Sequence, residues 1–444
     1  MRKHQFIQHL ASIIILVFCF QACKNSTISE IESPRAISLH KSVKNLSDII
    51  VHDIFSPPVA SRIYVYPSIA AYEVMAAFDD GYLSFASQLN ELPPLDFFPD
   101  TTLVIPEVAA LYAFNLVGRE LIFSTDKMDV YMEDLHKDFE SSIPVKFLSA
   151  SEAFGEKVAN HILAWADKDN YKESRSFPKY TIIDDPATWK PTPPAYMEGI
   201  EPHWRAIRLL VLETANQFTP EVPTDFNINK GSKFYEELIE VYETVKNANE
   251  EEKEIASFWD CNPYVMNLKG HMMFATKKIT PGGHWIGITE IACKKENASF
   301  MKSTLAYAMA SIGLFDGFIS CWDEKYRSNL VRPETLINEH IDPEWAPTLQ
   351  TPPFPEHTSG HSVISSSAAV ILTELFGDNF SFEDTVELEY GLPVRKFKSF
   401  IHASEEAAIS RLYGGIHYRP AIDYGVVQGR KVGNYILENI EYKN

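Results

Sequence analysis

Two stretches of the chain, Ser303 to Phe315 and Ser362 to Thr373, carry no charged residue on any face. A helix that is apolar all round has no face to give to water and must be covered by other elements on every side. Both stretches have helical periodicity, so they are expected to be central helices. The same periodicity extends over Ser61–Phe78, Ile105–Phe123, Ser151–Asp167, Lys233–Glu251, Ser299–Ile319, Ser362–Phe376, Phe397–Leu412 and Val426–Ile440, and few segments alternate with a period of two. The expected fold class is all-α.

A chain of 444 residues can bury one large core or two modest ones. Asp184 to Trp204, with Lys190-Pro191-Thr192-Pro193-Pro194 at its centre, reads as an irregular crossing loop, and Trp345 to His357 as another. The first loop either divides two helical halves, residues 43–183 and 205–444, or crosses a single unit. The favoured arrangement is one domain over 43–444, built of two packed helical bundles with the functional site among the core helices.

The N-terminus is a separate object. Arg2 and Lys3 precede an apolar run, Ile13 to Phe20, too short to span a bilayer, and Phe20-Gln21-Ala22-Cys23 reads as a cleavage site. Residues 1–22 are expected to be a signal peptide and 23–42 a polar tether. A cleavage site ending in Cys23 fits a lipoprotein signal, although Phe20 and Gln21 depart from its commonest form. The expected location is outside the cytoplasm, in the periplasm or on the outer membrane through a lipid on Cys23, or otherwise secreted.

Removing residues 1–22 takes away two basic residues and no acidic one, which leaves a net charge of −22. Such a chain does not attract nucleic acid by bulk charge. Beyond Cys23 only Cys261, Cys293 and Cys321 remain, at spacings that fit no Cys/His zinc template, and they read as buried thiols.

Against that acidic background three short motifs in the last third of the chain collect cations and imidazoles. Lys325 and Arg332 are two helical turns apart, and on one helix they would share a face, with Pro333 ending or kinking it. Pro355 to His361 is a Pro-rich loop that runs through Thr358, Ser359 and Gly360 into an apolar helix, whose first N–H groups favour an anion. Arg411 ends a helix that Gly414 and Gly415 break, and His417 follows. Each motif has an ordinary reading: a solvated basic face, an N-cap, a satisfied core histidine. Their conjunction in one half of the chain points instead to a tetrahedral oxyanion, and a helix start suits a His361 that must be neutral to accept a proton.

Lys325 and Arg332-Pro333 with six residues between, then Ser359-Gly360-His361, then Ser410-Arg411 with five residues before His417, resemble the three-part signature of the vanadium-dependent haloperoxidases and the type 2 phosphatidic acid phosphatase superfamily. Within that superfamily the chain is similar to the bacterial haloperoxidases, iodoperoxidase-like ones in particular. The resemblance extends to Phe258–Tyr264, Phe274–Lys277, Pro281–Trp285 and Ser56–Arg62. It implies an all-α fold of two bundles and a vanadate cofactor bonded to His417, with Lys325, Arg332, Ser359, Gly360 and Arg411 on its oxygens. His361 is then the acid/base, Lys325 polarises the bound peroxide, and the substrates are hydrogen peroxide and a halide, iodide by family likeness. Trp322, Asp323 and Phe354, and more weakly Tyr264, are the residues implied on the halide side.

Two other functions use the same residues. In an acid phosphatase His417 attacks phosphorus and His361 protonates the leaving alcohol; a non-catalytic oxyanion-binding lipoprotein needs the cations without His361. Two positions depart from the family pattern. Thr358 stands where many relatives have Pro, and Ala421 where many place an Asp that orients the vanadium-bound His; Asp423, six residues from His417, is no clear substitute.

Overall fold

The structure is a computed structural model and describes residue 28, residues 31–263, 265–269, 272–275 and 277–444. Its helices, in chain order, are α1 (Ala36–Asp53), α2 (Pro57–Ala76), α3 (Pro106–Leu121), α4 (Thr125–Glu140), α5 (Val145–Ala166), the single turn α6 (Tyr171–Ser174), α7 (Lys233–Asn247), α8 (Glu250–Phe258), α9 (Pro281–Lys295), α10 (Phe300–Ser328), α11 (Pro333–His340), α12 (Gly360–Phe376), α13 (Phe400–Tyr413) and α14 (Arg419–Asn439). Two antiparallel pairs of short strands complete it, β1 (Met266–Lys269) with β2 (Met272–Ala275), and β3 (Phe382–Asp384) with β4 (Arg395–Phe397). The all-α class holds.

Both charge-free stretches are central. α10 is long and apolar enough to cross a membrane, yet the apolar part of it is buried throughout the protein. It packs on α2 from one bundle (α1 to α5) and on α12 from the other (α9, α12 to α14), and one continuous apolar core runs from Leu39 to Ile440. The two halves therefore share a core. α14 approaches α12 through Gly425, Gly429 and Gly433, one residue per turn on one face; a Cβ on Gly429 would lie 2.0 Å from the Val363 carbonyl oxygen.

Helix starts follow local chemistry. Ser56, Ser232, Thr280, Ser299, Ser359 and Ser399 cap their helices with a side-chain oxygen, and Asn249 with Glu252 forms a capping box. That box corrects the single helix expected over Lys233–Glu251: Ala248 and Asn249 break it into α7 and α8. The polar tether expected to reach residue 42 is also too long, since α1 begins at Ala36 and already buries Leu39, His40 and Ser42.

The Pro-rich loop crosses one unit rather than separating two. Trp189 N–H donates to the Asn329 carbonyl and Val331 N–H to that of Ala187, while Trp322 Nε1 and Tyr326 Oη both donate to Ile200 O. Further along, the buried carboxylate of Asp316, in the middle of α10, accepts the backbone N–H groups of Leu210, Val211 and Leu212 at 2.8, 2.8 and 3.0 Å. An irregular chain is thereby fastened to the central helix at its midpoint and at its end.

Candidate active site

The three motifs meet where α10, α12 and the α13–α14 turn converge. Lys325 and Arg332 arrive there from different elements: α10 ends at Ser328, Asn329 turns left-handed, and Arg332 is the N-cap residue of α11. The shared helix face expected for this pair does not exist, because Pro333 takes the N1 place of a new helix instead of kinking the old one.

Lys325 is fully buried, and its Nζ donates to the carbonyls of Pro355, Glu356 and Thr358 at 3.0, 3.1 and 2.5 Å. Its three N–H bonds thus clamp the Pro355–Thr358 loop, a use that competes with the oxyanion and peroxide contacts the resemblance implies. Burial pulls its pKa down to about 7, and the Arg332 charge pulls the same way. The aromatic rings of Phe354 and Trp322 lie 5.0 and 5.8 Å from this ammonium.

Arg332 donates through Nε to Phe354 O at 2.9 Å and through Nη1 to Ile416 O at 2.7 Å, and Nη1 lies 3.2 Å from His417 Nε2. Arg411 donates through Nη1 to Trp259 O at 2.9 Å and lies 2.9 Å from His361 Nε2. Arg332 Nη2, Arg411 Nε and Arg411 Nη2 are buried without any protein partner. A buried donor on a charged group without an acceptor is costly. Three in one place mark a site shaped for an anion.

Ser359 caps α12 through its hydroxyl, Gly360 opens the helix, and His361 follows, half-buried. Gly360, His361, Arg411 and His417 line a cavity of about 40 Å³ with Trp322 and Phe354 on its wall. A buried water needs roughly 10–15 Å³ of such space, so the cavity holds a few heavy atoms. Burial first, and then the neighbouring guanidinium groups, hold His361 and His417 well below the usual imidazole range, so both rings are neutral.

The tautomer of His417 is fixed by Glu356, inside the Pro355–His361 loop, a residue to which the sequence motifs assign no role. Glu356 Oε1 accepts from His417 Nδ1 at 2.7 Å and from the Tyr418 backbone N–H at 3.0 Å. Oε1 is therefore an acceptor, Nδ1 carries the proton, and Nε2 presents a lone pair to the site. Neither Ala421 nor Asp423 takes this part. Burial lifts the Glu356 carboxyl to about 7, with Arg332 and Lys325 opposing. The available signal was charge: Glu356 is the one carboxylate inside the Pro355–His361 loop, which runs among three cations. Trp259, whose carbonyl holds Arg411, acts through its backbone and gave no side-chain signal.

Of the residues expected on the halide side, Trp322 and Phe354 pack against each other on the cavity wall, ring centroids 4.9 Å apart. Asp323 does not join them. One position further round α10, it pairs with Arg327 at 3.2 Å and faces Arg205 at 3.7 Å, and it does not line the cavity. Tyr264 lies outside the described residues. Thr358, in the place many relatives give to Pro, donates to Gln428 Oε1 at 2.7 Å, and Gln428 in turn donates to Ser320, so the loop is tied to α14 and α10 by hydrogen bonds.

Comparison with known proteins bears on this geometry directly. A crystal structure described as the first bacterial vanadium-dependent iodoperoxidase is 52% identical, with 93% of this chain and 99% of that one covered at a TM-score of 0.88. The chain belongs to the vanadium-dependent haloperoxidase family. The model of the VCPO second helical-bundle domain matches residues 338–443, which include α12 to α14. Holo and apo bacterial vanadium-dependent chloroperoxidases share the fold at 16% and 14% identity, with TM-scores of 0.66 and 0.64. They cover 87% and 86% of this chain and 93% and 94% of their own. No curated protein matches.

The cofactor of this family is vanadate, and the haloperoxidase site fits it. Unpartnered guanidinium N–H groups suit its oxygens, the first turn of α12 adds Ser359 and Gly360, and His417 Nε2 is a neutral nitrogen donor with its other nitrogen already engaged. Arg332, Arg411, Ser359 and Gly360 would hold the oxygens and His417 the metal. Bound there, vanadate supplies a Lewis acid that activates hydrogen peroxide without itself changing oxidation state.

Proposed function

We propose that this haloperoxidase oxidises iodide with hydrogen peroxide, with His361 as its acid/base and Trp322 and Phe354 as the halide-side wall. The observation that carries the reading is the pairing of unpartnered guanidinium donors with a neutral His417 whose tautomer Glu356 sets. His361, half-buried and neutral beside Arg411, is free to take a proton from peroxide and return it to the leaving oxygen. Lys325 holds the loop that carries Glu356, Ser359 and His361, so it keeps those groups in register. The apolar wall of Trp322, Phe354, Phe318 and Pro352 suits the most weakly hydrated halide, which loses least on leaving water.

The test is peroxide-dependent iodide oxidation by protein stripped of oxyanions, before and after adding orthovanadate, with p-nitrophenyl phosphate hydrolysis followed in parallel. Oxidation that appears only with vanadate supports the reading. Phosphate ester hydrolysis without any oxidation would replace it with the phosphatase. We propose further, from residues 1–23 of the sequence alone, export and lipid attachment at Cys23. Mass spectrometry of the mature N-terminus tests this, and an unmodified residue there would refute it.

A further inference from the structure

Behind the cavity wall, at Cys261, lies a second cluster of buried donors that halide oxidation does not use. Cys261 follows α8, His284 is in the first turn of α9, and Glu387 is in the short 3-10 helix Val386–Tyr390. Their Sγ, Nδ1 and Oε1 atoms all lie within 4.8 Å of one another, and the three residues are 1%, 0% and 3% exposed. Among the described residues no other group of three such side chains comes together in this way.

The distances favour a shared ligand. A tetrahedral zinc ion, with bonds of about 2.3 Å to sulfur and about 2.0 Å to nitrogen and oxygen, sets sulfur about 3.5 Å from either lighter donor and nitrogen about 3.3 Å from oxygen. The structure has Sγ to Nδ1 at 3.4 Å, Sγ to Oε1 at 3.7 Å and Nδ1 to Oε1 at 3.1 Å, each within about 0.2 Å of that triangle. The fourth observation is independent. His284 Nε2 lies 2.8 Å from Asp384 Oδ2, and Asp384 is fully buried with its other oxygen held by the Val386 N–H at 3.0 Å. A carboxylate on the far nitrogen is how ligating histidines are oriented.

We propose that Cys261, His284 and Glu387 bind a zinc ion, with Asp384 as the residue that positions His284. On binding, the thiol and the His284 Nδ1–H that faces Glu387 Oε1 at 3.1 Å each release a proton to solvent, which frees the thiolate and the Nδ1 lone pair for the metal, while the proton on Nε2 stays with Asp384. Thiolate, imidazole and carboxylate together suit zinc among the common divalent ions. The site ties three segments together at one point, and one of them carries Trp259. The Trp259 ring stacks on His284 at 4.6 Å and its carbonyl holds Arg411, so zinc would stiffen the back of the oxyanion site.

The experiment uses full-length protein loaded with orthovanadate, so that His361 and His417 are occupied. Zinc is measured by plasma mass spectrometry after dialysis, and cobalt(II) is then exchanged in and followed by absorption. The expected results are one zinc per chain and a near-ultraviolet thiolate-to-cobalt charge-transfer band. The band should vanish in Cys261→Ser, and zinc should bind about 10–100-fold more weakly in Asp384→Asn, which keeps all three ligands. A wild-type protein that takes up neither zinc nor cobalt would overturn the assignment and leave a plain hydrogen-bond network. Cobalt bound without the thiolate band, or Asp384→Asn holding zinc as tightly as the wild type, would overturn it equally.

Discussion

Glu356→Gln isolates what a buried carboxylate does for His417, the proposed vanadium ligand. Gln keeps the shape and one acceptor oxygen but removes the charge from a 2.7 Å bond whose partners are 0% and 3% exposed. A buried hydrogen bond to a charged group is worth about 1.5–3 kcal/mol, and loss of an outer partner of a metal-bound His typically costs about 10–100-fold in affinity. Those two figures agree, since 10–100-fold is about 1.4–2.7 kcal/mol. An opposing effect has to be separated: Glu356 is the carboxylate among Lys325, Arg332 and Arg411, so its neutralisation favours any anion. Sulfate, which binds by charge and hydrogen bonds alone, serves as the reference. Calorimetric titration of stripped protein should show vanadate weakened about 10–100-fold and sulfate unchanged or tighter. Vanadate affinity within twofold of wild type, or an equal loss for both anions, would refute the argument that Glu356 works through the His417 tautomer.

His361→Ala should leave vanadate binding intact while iodide oxidation falls about 10²–10⁴-fold, as loss of a general acid/base does; unchanged turnover removes that role. His417→Ala should abolish stoichiometric vanadate uptake, and retention at wild-type affinity would take His417 out of the ligand position. Sulfate affinity should fall as pH rises through about 7, because Lys325 loses its proton and Glu356 gains its charge in the same window, both against an anion; a flat profile between pH 6 and 8 contradicts this. Gly429→Ala places a Cβ 2.0 Å from a backbone oxygen of α12 and should cost about 3 kcal/mol, the upper end for overpacking, read as a lowered Tm.

The parts of this protein legible in its sequence were those encoded locally. The charge-free stretches announced α10 and α12 because an apolar surface has only one place to go, and Ser359-Gly360-His361 announced the helix start because capping is a matter of neighbours. What stayed hidden depends on distant partners. Asp316 breaks the apolar run of α10 and looks like a fault until the backbone of Leu210 to Leu212 is seen bonded to it, 104 to 106 residues away. Lys325 and Arg332 have helical spacing, and only the observed turn at Asn329 shows that they come from two helices. Beyond its charge, Glu356 carries no local signal as the carboxylate that orients His417, because it meets that ring from 61 positions earlier in the chain and only the fold brings the two together.

The same electrostatics explain why a site of this kind sits where two bundles share a core. Lys325, Arg332 and Arg411 are all buried, with Glu356 the carboxylate bonded among them, and burial lowers the pKa of all three cations. A depressed lysine pKa means that the folded protein binds fewer protons than the unfolded chain between about 7 and 10.5, so below that window Lys325 is held charged at a cost in stability. An oxyanion reverses that cost by meeting the unpartnered guanidinium donors. The ligand is therefore worth more to this fold than its own contacts suggest: it relieves a penalty built into the arrangement of buried cations. Rigid packing such as α14 against α12 at Gly429 is what keeps three like charges together until the anion arrives.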